Sequence, residues 1–136
     1  MRRYRKREEG QALVEFIIVL PVLLLIVLGI IQFGSLFKDY IALTDAVRVG
    51  ARQAAVSRTL QNPEAIVIAR VQKAGVNLDA NKMVITVEPW DPITNTKTWA
   101  QSGDVTVHAT YPYRIDLLGF VVMSGVVQSR TTERVE

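Results

Sequence analysis

The stretch FIIVLPVLLLIVLGIIQFGSLF, residues 16–37, decides how this chain folds. It contains no charged residue, and its only polar side chains are those of Gln32 and Ser35. A helix needs about 20 apolar residues to cross the hydrocarbon core of a bilayer, and this stretch is long enough. A soluble helix that is apolar on every side must be covered by other protein, and a chain of 136 residues has too little protein to cover it. The sequence therefore predicts a membrane span at about residues 16–37.

The helical pattern continues beyond this stretch without a break. Apolar residues recur at the spacings of three and four that mark one face of a helix, at Leu36, Tyr40, Leu43, Val47, Ala51 and Ala54. Charged residues occupy the opposite face, at Lys38, Asp45, Arg48 and Arg52. A single helix over residues 11–58 would be about 70 Å long, more than twice the ~30 Å hydrocarbon core. Half of this helix is therefore expected to stand outside the membrane.

Pro21 interrupts the backbone hydrogen bonding of the predicted span. It has no N–H, so the carbonyl of Ile17 loses its usual partner and the helix is expected to kink there. A membrane helix tolerates such a proline when its neighbours or local geometry satisfy the carbonyl. The kink is therefore compatible with a span.

The whole net charge of +3 lies in the first ten residues. Residues 1–10 hold five basic and two acidic side chains, whereas residues 11–136 hold eleven of each. Basic residues beside a span place their end of it in the cytoplasm, which predicts a cytoplasmic leader at residues 1–10. The topology residues are Arg2, Arg3, Arg5, Lys6 and Arg7. Nucleic-acid binding is not expected, because the rest of the chain has no cluster of basic and stacking residues.

The leader and span differ from a cleaved secretory signal. The apolar stretch is longer than the usual ~7–15 residues, and no small-x-small cleavage site precedes Lys38.

Glu15 stands among apolar residues at the start of the helix, where a carboxylate is costly unless it is paired or near the interface. One interpretation is an interfacial Glu favoured by the helix dipole. The other is a pair with an α-amino group, of the same or a neighbouring chain, created by cleavage between Gly10 and Gln11.

The segment GQALVEF, residues 10–16, behind a short basic leader and ahead of a Pro-containing apolar run, resembles the processing site of type IV pilin-like proteins. Together with the run DAVRVGARQAA at residues 45–55, it resembles the TadE-like family of tight-adherence (Tad/Flp) pilus systems. The resemblance implies that a prepilin peptidase cuts between Gly10 and Gln11, and that Glu15 is the shared assembly determinant that sets the register of subunits. It further implies the cytoplasmic membrane, the peptidase, other pilin-like subunits and the pilus assembly platform as partners.

Residues 59–136 are expected to form a small extracytoplasmic head. Asn62, Pro63 and Glu64 are typical of a helix start, and Gly75 is typical of a helix end. Alternating apolar and polar residues predict strands at 82–88, 104–111 and 126–135. A long N-terminal helix, a short helix and a three- to four-stranded antiparallel sheet make an α+β, pilin-like fold.

A second apolar run, Leu117–Val127, is too short to span a membrane. The simpler interpretation is a loop and strand buried in the core of the head. The alternative is an exposed apolar patch that contacts a neighbouring subunit or the membrane surface. The sequence does not distinguish these two interpretations.

No pattern in the sequence points to catalysis, a cofactor or a metal. The chain has no Cys, and its single histidine, His108, lies on the polar face of a predicted strand. The acids of the head are scattered without the spacing of a metal site, at Asp79, Asp91, Asp104 and Asp116. We therefore expect a non-enzymatic membrane protein, a minor pilin or pseudopilin. The alternatives are an unprocessed single-pass protein that presents a small interaction domain to an envelope machine and, less favoured, an anchored hydrolase that uses His108.

Overall fold

A computed structural model describes residues 2–117 and 119–136 of the chain. Its helices are α1 (Arg2–Ala55), α2 (Pro63–Ala74) and a short 3-10 turn (Ala80–Lys82). Its strands are β1 (Val84–Trp90), β2 (Asp104–Leu117) and β3 (Phe120–Arg134). This order confirms the α+β fold with a long N-terminal helix and a small head.

The helix α1 begins at Arg2, earlier than the expected start near Gly10, and it ends at Ala55. Residues 2–9 contain neither Gly nor Pro, and most of them are Arg, Lys or Glu, which favour helix. At the other end, the Ser57 N–H donates to the Ala54 carbonyl at 3.1 Å, which closes the last turn more tightly than an α-helix does. Helical backbone continues on both sides of Pro21.

The sheet has the order β1-β2-β3 and is antiparallel throughout. Its central strand β2 pairs with β1 from Asp104 to Thr110 and with β3 over its whole length. The predicted alternation is confirmed, since Val105, Val107 and Ala109 are buried on one face. Both β2 and β3 are longer than predicted, because they continue past the end of β1 as a two-stranded hairpin that turns at Gly119.

The core of the head lies between the C-terminal half of α1, the helix α2 and one face of the sheet. Its fully buried large side chains are apolar except for Ser57, and are Leu43, Val47, Val67, Val71, Val105 and Val107. Gly50 of α1 allows the close approach of α2, because a Cβ at this position would overlap Cγ2 of Val71. The part of α1 that builds this core begins at Leu43.

The hairpin of β2 and β3 extends along α1 toward its N-terminal end. Near the turn, the side-chain amide of Gln32 donates to the main-chain carbonyl of Asp116 at 2.9 Å. Residues 119–126 are exposed rather than buried in the head core, so that interpretation is wrong for them, and Val127 packs partly buried against the core. The exposed large apolar side chains of this run are Phe120, Val121, Val122, Met123 and Val126, and Leu118 lies outside the described residues.

Candidate assembly and membrane interface

The apolar half of α1 has a surface that is largely uncovered in the described chain, although the β2–β3 hairpin contacts it at Gln32. From Leu13 to Ile41, large aliphatic and aromatic side chains are exposed on all sides of the helix. The part of α1 from Gly10 onward is the one helix in the described chain that is long and apolar enough to cross a membrane. Such a surface can contact lipid, or it can pack against equivalent helices of other subunits.

The predicted cleavage and register residues lie together at the start of this surface. Gly10, Gln11 and Glu15 are all exposed, and all three lie within the continuous helix α1. Gln11 and Glu15 are about 6 Å apart along the helix axis, one turn, and on the same face. A Cβ added at Gly10 would meet no atom within 4 Å. The geometry therefore places Glu15 beside the position that a new N-terminus at Gln11 would occupy.

The second half of α1 docks the head. Its predicted apolar stripe is buried at Leu43, Val47, Ala51 and Ala54, whereas Tyr40 is 46% exposed and lies at the edge of the stripe. The predicted polar face is exposed at Lys38, Asp45, Arg48 and Arg52. One helix thus combines an uncovered apolar half with a half that is buried against the head.

Comparison with protein families bears directly on this helix. Residues 10–52 match the family described as TadE-like protein. The match covers less than half of the chain. The match confirms, over these residues, the resemblance noted in the sequence. No curated protein and no solved structure matched the chain.

The TadE-like segment coincides with the two functional halves of α1. It begins at Gly10, includes the whole exposed apolar surface, and ends just after Gly50, where the helix contacts Val71 of α2. Neither α2 nor any strand lies within the matched residues. The match thus concerns the helix that contains the candidate membrane span and docks the head, while the structure of the head is an observation made on this chain alone.

The five basic residues of the leader lie ahead of the TadE-like segment. Their backbone belongs to α1, and their side chains, those of Arg2, Arg3, Arg5, Lys6 and Arg7, are outside the described part of the structure. The orientation that they predict stays a prediction.

The acids of the head stabilise local turns. Asp91 accepts hydrogen bonds from the Thr94 hydroxyl at 2.6 Å and from the Ile93 N–H at 2.9 Å. These bonds, first that of Thr94 and then that of Ile93, lower the pKa of the Asp91 carboxyl from its ordinary value. Asp79 accepts a hydrogen bond from the Asn81 N–H at 3.0 Å. Both acids therefore have a structural explanation.

His108 lies on the outer face of the sheet, away from the TadE-like segment. It is half-buried and stands opposite Thr86 of β1 and Arg130 of β3. Among the described side chains, those of residues 10–117 and 119–136, no three His, Cys, Asp or Glu come close enough to hold a metal ion. His108 thus lies in a shallow polar groove, which Thr86 and Glu88 of β1 and Gln128 and Arg130 of β3 also line.

Two features of this interface were not predicted from the sequence. The contact of Gln32 with Asp116 joins residues far apart in the chain. The only signal for it in the sequence is the polar side chain of Gln32 within a mostly apolar stretch. The packing of Gly50 against Val71 also joins two separate helices. A glycine within an otherwise good helical pattern is the signal that could have indicated such a close approach.

Proposed function

We propose that this chain is a TadE-like minor pilin or pseudopilin that contributes to the assembly of a tight-adherence (Flp) type IV pilus. It is inserted in the cytoplasmic membrane as a single-pass protein, with the leader in the cytoplasm and the head outside. A prepilin peptidase removes residues 1–10, and the processed chain then joins other pilin-like subunits at the pilus assembly platform.

The observation that carries this proposal is the uncovered apolar surface of α1 within the TadE-like segment. The buried core of the head begins at Leu43, and among the described residues most of the apolar side chains of α1 that precede it are exposed. In the membrane, lipid covers this surface. In a fibre, equivalent helices replace the lipid. The same residues therefore contact lipid before assembly and other subunits after it.

The proposed roles of Gly10, Gln11 and Glu15 follow from their spacing. Cleavage after Gly10 creates an α-amino group at Gln11, one helical turn from the carboxylate of Glu15. In a bundle of subunits, the amine of one chain can meet Glu15 of its neighbour, and in an apolar setting an unpaired charge is costly. The pair therefore favours one axial stagger between neighbours over the others.

The test of processing is the intact mass and N-terminal sequence of the membrane-extracted protein, expressed with and without a cognate prepilin peptidase. We expect a peptidase-dependent start at Gln11 that Gly10→Val blocks. Gly29→Val is the matched control, because a Cβ at Gly10 or at Gly29 meets no atom within 4 Å, so neither substitution is expected to disturb packing within the chain. A Gly29→Val chain should be cut normally.

A second candidate function is favoured by the continuity of α1. The peptide bond after Gly10 lies inside the helix, where backbone groups are hydrogen-bonded and a peptidase can reach the bond only after local unwinding. A chain that keeps its leader would be a single-pass membrane protein that presents the head to an envelope or secretion machine. A chain that still starts at Met1, when the same peptidase cuts a known substrate, would establish this second function and contradict processing.

A further inference from the structure

The turn of the β2–β3 hairpin is an exposed apolar surface with no role in the head core. We name residues 119–126 the hairpin tip. Phe120 is 77% exposed and Val122 is 61% exposed, and neighbouring Val121, Met123 and Val126 are exposed as well. A contiguous exposed apolar patch of this kind marks an interaction site in a soluble or membrane-associated protein.

The hairpin tip lies beside the predicted membrane span. Gln32, which donates to the Asp116 carbonyl at 2.9 Å, belongs to the apolar stretch of residues 16–37. Further from the tip, a Cβ at Gly50 would lie 3.7 Å from Cγ1 of Val107. From Val107 to Asp116 a strand covers about 30 Å, and from Gly50 back to Gln32 a helix covers about 27 Å. The strand and the helix therefore run side by side, and the hairpin points toward the membrane.

The polarity of β3 changes where the strand approaches this level. From Gln128 to Arg134 the strand is polar and charged, with the sequence QSRTTER, whereas residues 120–127 read FVVMSGVV. The first charged residue of α1 after the apolar stretch is Lys38, about 9 Å along the helix from Gln32. Both elements thus turn from polar to apolar as they approach the predicted span, and the apolar tip continues the apolar surface of α1.

The backbone of the hairpin limits how deep it can enter. The pairing of β2 with β1 stops at Thr110, opposite the first residue of β1. Residues 111–117 of β2 therefore pair with β3 only. Unpaired backbone groups are not tolerated in the hydrocarbon core, but water and lipid headgroups can bind them in the interfacial layer. Arg114 and Asp116, which form an exposed ion pair at 2.9 Å, also suit that layer.

We propose that the hairpin tip is a second membrane anchor, which inserts into the interfacial layer of the bilayer on the side of the head, next to Gln32. The proposal rests on the proposed membrane insertion of α1. Lipid is the occupant because the tip is continuous with the surface that lipid already covers. The anchor holds the head down on the membrane, and the tip has to leave the lipid when a subunit is extracted into a fibre.

The test uses the full chain in vesicles of phosphatidylcholine and phosphatidylglycerol. Because the chain has no Cys, one cysteine can be introduced and labelled with an environment-sensitive fluorophore at Val122 or Ile26. Arg130→Cys is the control on the same strand, also exposed and about 26 Å along the strand from Val122. Quenching by lipids that carry a spin label near the headgroup or near the chain end then reports depth.

We expect the Val122→Cys probe to emit at shorter wavelength and to lose several-fold more emission than the Arg130→Cys probe when the quencher is near the headgroup. The Ile26→Cys probe should be quenched more strongly by the label near the chain end. Quenching at Ile26 but not at Val122 would overturn the hairpin anchor and leave membrane insertion intact. Absence of quenching at both positions would overturn both proposals. A blue shift of the Val122→Cys probe that depends on protein concentration, without quenching by the labelled lipids, would overturn the anchor and assign the tip to a protein partner.

Discussion

The contact between Gly50 and Val71 makes a prediction that can be worked out from the structure. Val71 is fully buried, and one of its methyl groups fills the space above Gly50. Val71→Ala removes two methyl groups, which we expect to cost about 2–3 kcal/mol of the free energy of unfolding when the cavity term is included. Val76→Ala is the matched control, because Val76 is 83% exposed, and it should change stability by less than about 0.5 kcal/mol.

Gly50→Ala has two opposing effects. Alanine favours helix over glycine by about 1 kcal/mol, while the clash with Val71 costs about 1–3 kcal/mol. The single variant should therefore be destabilised by up to about 2 kcal/mol. When Val71→Ala is present as well, the clashing methyl group is gone, and the remaining contacts of the new Cβ, with Cβ of residue 71 at 3.5 Å and Cγ1 of Val107 at 3.7 Å, are ordinary.

The double variant Gly50→Ala/Val71→Ala should therefore be more stable than the sum of the single effects by about 1–3 kcal/mol. The assay is urea unfolding of the full chain in detergent micelles, followed by tryptophan fluorescence, because both tryptophans, Trp90 and Trp99, lie in the head. Single effects that add within about 0.5 kcal/mol would refute the packing of α2 against α1 at Gly50.

Three further predictions concern other parts of the chain. Glu15→Ala should abolish incorporation into fibres while cleavage after Gly10 and membrane insertion continue, as measured by mass analysis and by counting pili; normal incorporation would remove Glu15 from register setting. Because hydrogen bonds from Thr94 and Ile93 lower the pKa of Asp91 below its ordinary value of 3.8, the ionised carboxyl stabilises the head above that value, and this stabilisation is lost as pH falls through the lowered pKa. Asp91→Asn should therefore flatten the loss of stability in acid, measured by urea unfolding as a function of pH, and an unchanged acid profile would show that these bonds do not persist in solution. His108→Ala should leave processing and assembly unchanged, and loss of a specific hydrolytic activity in this variant would revive the anchored-hydrolase hypothesis.

Local patterns predicted most of the elements because their causes are local. Asn62 accepts a hydrogen bond from the Ala65 N–H at 3.5 Å, and Pro63 begins α2, as a helix start of this kind should. Gly75 ends α2 as predicted, but its φ of −77° is not left-handed. Its position is explained by space, since a Cβ there would lie 2.9 Å from Cε of Met83. A glycine at the end of α2 was thus predictable from the sequence. The reason that glycine is needed there is a tertiary contact with Met83.

The length of the hairpin could not be predicted because its cause is not local. Pro112 cannot donate a hydrogen bond and is typical of a strand end, yet β2 continues to Leu117. The proline is tolerated because the pairing of β2 with β1 stops at Thr110, opposite Val84, so Pro112 lies on an open edge of the sheet. Likewise, an apolar run indicates burial only if another part of the protein covers it. In this chain the described core leaves residues 119–126 exposed.

The contacts of the head also bear on where α1 enters and leaves the bilayer. Composition alone predicts a span at about residues 16–37, but Gln32 is already engaged by the hairpin and Leu43 begins the core. The part of α1 between a processed N-terminus at Gln11 and Ile31 is about 32 Å long, which matches the ~30 Å hydrocarbon core. With an interfacial hairpin tip, the bilayer would therefore be crossed by residues 11–31, and Glu15 would lie within about 6 Å of the cytoplasmic end of the processed helix. In that position the carboxylate would be close enough to the interface to be tolerated in a membrane-inserted subunit, and we propose that it pairs with a neighbour's α-amino group when subunits assemble.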